Sequence, residues 1–79
     1  MDLPYEIMSE RRKAGRVARE ALDNIAASSQ AITDVLDAPH GTIHYHVDAL
    51  IKEANNLVRC ATTLDTLAGI ARLIDRENN

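Results

Sequence analysis

What most constrains this chain is how few places it can turn. Its 79 residues include three Gly and two Pro. Pro4 sits near the start, and Gly15 and Gly69 stand alone inside periodic stretches. Only Pro39 and Gly41 fall together, in Asp37-Ala38-Pro39-His40-Gly41, a composition that marks a turn. The chain is thereby divided into two nearly equal halves, each long and free of paired breakers. A single helical domain over residues 1–79 follows.

Both halves read as helix. Tyr5 to Asp37 is dominated by Ala, Arg, Glu and Leu, which lose little on entering a helix. Its apolar positions step by three and four through Ala14, Ala18, Ala21 or Leu22, Ile25, Ser29, Ile32 and Leu36. The second half repeats the rhythm at Ile43, Val47, Leu50, Ala54, Leu57, Ala61, Leu64, Ala68 and Ala71. That alternation is the seam spacing of paired antiparallel helices. The expectation is an all-α hairpin of two long antiparallel helices, about 6–37 and 42–76. Folding at residues 39–40 sets residue i beside roughly residue 79 minus i, so that Leu57 meets Leu22 and Ala61 meets Ala18.

Two segments offer alternatives. Ala26-Ala27-Ser28-Ser29 holds serines able to cap a helix, so a break at 27–29 would give three helices. Thr42 to Val47 alternates and is rich in β-branched and aromatic residues, as a strand would be, although nothing else in the chain would pair with it. The polar residues Arg76 to Asn79 read as a frayed end.

Composition narrows the class. Apolar residues make up 46% of the chain, yet there is no Trp or Phe and only Tyr5 and Tyr45. The core must be aliphatic, and small aliphatic cores usually lean on a partner subunit. Ile51, Val58, Leu67, Ile70 and Ile74 exceed what one seam buries. A homodimeric four-helix bundle is the simplest cover for them. The single Cys60 excludes an internal disulfide, and no apolar run approaches the ~20 residues of a membrane span. No signal-peptide pattern stands at the N-terminus. The expected setting is the cytoplasm. A net charge of −3 argues against a general nucleic-acid binder.

The sharpest local feature is basic. Arg11, Arg12, Lys13, Arg16 and Arg19 are five of the nine basic residues, and on a helix Arg12, Arg16 and Arg19 share a face. Such a stripe can grip phosphates or carboxylates bidentately, or simply pair with Glu20, Asp23, Asp65 or Asp75 as a solvated face. A second candidate surface is His40, His44, Tyr45 and His46 at the hairpin tip, where aromatic and imidazole groups can anchor a partner. As a metal site the trio is poorly spaced, because His44 and His46 diverge on a helix. No metal or other cofactor is expected. Catalysis lacks a Gly-rich phosphate loop or a nucleophile elbow, and Cys60 reads as a small buried residue.

One stretch resembles a known family. Thr42-Ile43-His44-Tyr45-His46-Val47-Asp48-Ala49-Leu50 resembles the recognition helix of winged-helix repressors of the arsenical-resistance type. Ile32-Thr33-Asp34-Val35-Leu36 resembles their preceding helix, and Asn56-Leu57-Val58-Arg59 the stretch that follows, so the likeness covers residues 30–59. It implies a helix-turn-helix DNA-binding regulator, with Thr42, His44, Tyr45 and His46 facing the major groove. The departures are Thr33 for a small Ala, Asp37 for a turn Gly, two extra residues between Lys52 and Asn56, and helix-forming sequence where a β-wing belongs. Asp34, Asp37 and Asp48 would also repel phosphates.

The leading expectation is a small non-catalytic interaction or regulatory protein that binds a partner macromolecule, a protein first of all. In character it is similar to the inhibitors and adaptors that phages and mobile elements encode. DNA-binding regulation comes second. Capture of a small anionic ligand such as a nucleotide comes third.

Overall fold

A computed structural model describes residues 4–77. Asn78 and Asn79, half of the segment expected to fray, lie outside the described residues. The chain is an all-α hairpin: α1 runs Tyr5–Leu36 and α2 runs His44–Glu77. The described residues contain no strand, and the stretch read as a possible one becomes the start of α2 from His44. Pro4 precedes α1, where a missing N–H costs nothing, and its carbonyl accepts from Ile7 and Met8. At the other end the Asp37 and Ala38 amides donate to the Thr33 and Val35 carbonyls and close the helix.

The serines do not break α1. Ser28 faces α2 half-buried while Ser29 is exposed, and the Thr33 hydroxyl donates to the Ser29 carbonyl across one turn. Gln30 donates to Asp34 one turn further on. The polar side chains therefore bond along the helix rather than ending it.

The seam is a strict heptad in each arm. On α1 it passes through Ile7, Arg11, Ala14, Ala18, Ala21, Ile25, Ser28, Ile32 and Val35. On α2 it passes through His46, Leu50, Glu53, Leu57, Cys60, Leu64, Leu67, Ala71 and Ile74, with Ile43 in the loop just ahead. All but Arg11 are buried or half-buried. Several positions fall one residue earlier than the apolar rhythm alone suggests. Leu22 and Leu36 are 52% and 71% exposed, and Ala21 and Val35 take their places. Likewise Ser28 replaces Ser29, His46 replaces Val47, Glu53 replaces Ala54, Cys60 replaces Ala61 and Leu67 replaces Ala68. Leu67 and Ile74, which composition assigns to a surplus stripe, belong to this seam. Shared crevices fix the register: Ile7 lies with Ala71, Ala21 with Asn56, and Ala31 with His46. This is the pairing that folding near residues 39–40 requires, to within two residues.

The chain returns closely on itself at the tip. A Cβ on Gly41 would stand 2.7 Å from Val35 Cγ1, closer than atoms pack. Gly41 is not needed for a left-handed backbone, since no described residue has positive φ. It is needed because the returning chain lies against Val35, the residue that faces inward where Leu36 faces out.

The result is a rod, 62 × 15 × 14 Å, with a radius of gyration of 18.0 Å against about 12 Å for a compact chain of this length. Among the described residues only Ala21 and Cys60 are buried, both of them small side chains in the middle of the seam. Residues preceding the seam on α1, namely Val17, Asn24 and Ala31, share crevices with Thr63, Asn56 and Ala49. That side mixes polar residues such as Asn24, Asn56 and Thr63 with Val17, Ala31 and Ala49. The opposite side carries positions 8, 15, 22, 29 and 36 of α1 and positions 47, 54, 61 and 68 of α2.

Two substitutions test this account by urea denaturation. Gly41→Ala should cost about 1–3 kcal/mol, because Val35 is branched next to the backbone and cannot swing away. Gly69→Ala should stabilise by up to about 1 kcal/mol, since its Cβ meets nothing nearer than Arg72 Nη2 at 4.0 Å.

Candidate functional site

The basic cluster is divided by the heptad. Arg12, Arg16 and Arg19, one helical turn apart in succession, surround Gly15 in a shallow depression of about 320 Å³ on the outer surface of α1. Gly15 has open space where a Cβ would stand, so the floor of the depression is bare backbone flanked by guanidinium groups. All three arginines are exposed. The side-chain hydrogen bonds at Gln30–Asp34, Thr33–Ser29, Arg59–Asn56 and Thr62–Val58 draw on none of them.

Arg11 and Lys13 point elsewhere. Arg11 occupies a seam position and shares a crevice of about 240 Å³ with Ile7, Leu64, Asp65 and Ala71. Asp65, an acidic partner anticipated across the hairpin, lines the same crevice. Lys13 falls on the polar side, in a crevice with Glu10, Arg59 and Thr63. Arg59, which donates to the Asn56 side chain, joins Lys13 there. It was missed by reading the cluster along one helix, and only the antiparallel register reveals it. Three arginines, rather than five basic residues, form one contiguous surface.

The tip is likewise divided. His40 lies in the exposed turn, and His44 and Tyr45 open α2 with Tyr45 76% exposed. His46 turns inward to a seam position and lines a crevice with Asn24, Ser28 and Glu53. Its ring meets that of Tyr45 edge-on, with centroids 5.4 Å apart and planes at 83°. Among the described residues no group of three His, Cys, Asp or Glu is placed to hold a metal ion. Cys60 is a free, buried thiol in the seam.

The stretch that resembles a helix-turn-helix is arranged as the turn of the hairpin. Ile32 to Leu36 form the last turn of α1, residues 37–43 connect, and His44 to Leu50 begin α2. Thr42, His44 and Tyr45 are exposed there. No described helix is long and apolar enough to cross a membrane. No protein-family model, curated protein or solved structure matches the chain.

Proposed function

We propose that this chain is a small non-catalytic interaction protein, of inhibitor or adaptor type, that works by occupying an acidic surface of a partner protein. The observation that carries the reading is the Arg12–Arg16–Arg19 arc around Gly15. Holding three guanidinium groups together on a solvated face is electrostatically unfavourable, and an oxyanion-bearing partner relieves it. Gly15 lets a partner's backbone or carboxylate approach α1 closely between them. The described residues also hold no buried polar or charged side chain, and their crevices open along the outside of the rod. A rod with this surface acts by contact rather than by enclosing a substrate.

Affinity capture from the native host, with and without nuclease, tests the reading. Replacing Arg12, Arg16 and Arg19 together by Ala should leave helix content and thermal stability essentially unchanged, within about 0.5 kcal/mol per exposed site. It should abolish capture of the protein partner. Undiminished capture by the triple variant rejects the arginine arc. Partners that vanish on nuclease treatment instead favour the regulator reading, which draws on the exposed Thr42, His44 and Tyr45.

The size of the depression favours one further reading, a small anionic ligand such as a nucleotide. Were it correct, millimolar nucleotide would raise the melting temperature by mass action, and the triple-Ala variant would lose that rise. No rise in the wild-type chain rejects it.

A further inference from the structure

Toward the tip, the two arms leave a crevice of about 340 Å³ between them. Its walls are short: Ala27 and Ala31 on α1 and Ala49 on α2 leave room that larger side chains would fill. Four polar side chains line that room, Asn24 and Ser28 from α1 and His46 and Glu53 from α2. Ser28, His46 and Glu53 are half-buried. Among the described residues, none of the four makes a side-chain hydrogen bond or ion pair with another residue. No unpaired polar atom of theirs is sealed in, so each can meet an entering molecule. Tyr45 also lines the crevice and is 76% exposed, its ring edge-on to that of His46.

The chemistry of this lining selects the occupant. Glu53 is the one acidic or basic side chain in it, and Lys52, the single Lys or Arg between Asn24 and Ala54, is exposed and outside it. A half-buried carboxylate without a counter-charge is incompletely solvated and repels anions. A cation relieves it, and the acidic excess of the tip, Asp34, Asp37 and Asp48, draws cations toward that end. A metal ion is poorly served, because among the described residues no three His, Cys, Asp or Glu come together. An ammonium group fits better. Its N–H donors match the Glu53 carboxylate, the Ser28 hydroxyl and the Asn24 amide oxygen, and the exposed Tyr45 ring favours positive charge beside it. The alanine walls admit a short aliphatic stem, and the volume falls at the lower end of the ~300–1,000 Å³ of small-molecule sites. We infer that the crevice between Ser28 and Glu53 binds the primary ammonium group of a small aliphatic amine. The inference does not rest on the arginine arc, none of whose residues lines the crevice.

An NMR chemical-shift titration of the isotope-labelled full chain tests it, with butylammonium chloride as the probe. The shifts should saturate at millimolar concentrations and centre on Ser28, Ala49 and Glu53. Sodium chloride at equal ionic strength, and butanol, should not reproduce them. Glu53→Gln should weaken binding by about 10-fold or more, as loss of a charged hydrogen-bond partner does, and Tyr45→Ala by about two- to five-fold. Asp48→Asn, an exposed acid of the same helix outside the crevice, should change it by less than about two-fold, since solvent and salt screen it. Ala27→Leu keeps every charge and fills the crevice from an exposed position, so it should also abolish the shifts; circular dichroism checks that each variant retains wild-type helix content. Shifts matched by sodium chloride or by butanol overturn the inference. So does a folded Glu53→Gln or Ala27→Leu variant that binds as tightly as wild-type, or an Asp48→Asn variant that loses as much as Glu53→Gln. Binding of Nα-acetyl-lysine methylamide about 10-fold tighter than butylammonium assigns the ammonium to a protein side chain and overturns the small-amine ligand.

Discussion

Two helices can share only one inner face, and everything else about this molecule follows from that constraint. A pair of cylinders meets along a line. Each arm can therefore hide one stripe and must present the remaining surface to something else. The line here is thin: at its middle are Ala21 and Cys60, and among the described residues no large side chain is fully buried. Narrow side chains bring the backbones close but remove little apolar area from water. Helix propensity and local bonds such as Gln30–Asp34 keep the arms straight. They do not replace a core.

The architecture was legible because its signals are repetitive. One clustered pair of breakers, Pro39 and Gly41, and two long runs stepping by three and four admit little besides a hairpin. Helix limits fell within a residue or two of Tyr5–Leu36 and His44–Glu77. The phase was not legible. Leu22 and Leu36 are better hydrophobes than Ala21 and Val35, so ranking residues by apolarity favours a line one residue late. At the tip that choice goes with a contact, Gly41 against Val35, between residues with no periodic relation to each other. His46 and Glu53 at seam positions carry no apolar signal. Their placement is inherited from the heptad rather than from their own chemistry.

The same shift explains how far the surface could be read. Arg12, Arg16 and Arg19 were predicted to lie together by helical spacing alone, and they do. Arg11 and Lys13, adjacent in sequence, are carried to the seam and to the far side, because neighbours along a helix diverge by about 100°. Asp65 and Arg59 come beside them only through the second arm. Clusters defined by sequence proximity overstate a helical surface, and clusters defined across a hairpin need the register first.

An antiparallel pair of such length also has an electrical consequence. Each helix carries partial charge at its ends, positive at the start and negative at the finish. In the hairpin the start of α1, with Glu6, adjoins the finish of α2, with Arg76, so the two macrodipoles cancel from one end of the 62 Å rod to the other. What polarity remains is written by side chains alone. Between Asn24 and Ala54 the chain holds Asp34, Asp37, Asp48 and Glu53 against the single cation Lys52, while all the arginines lie toward the open end. The rod is an electrostatic needle with an acidic tip. An approaching molecule can tell its two ends apart at a distance, before any residue is touched.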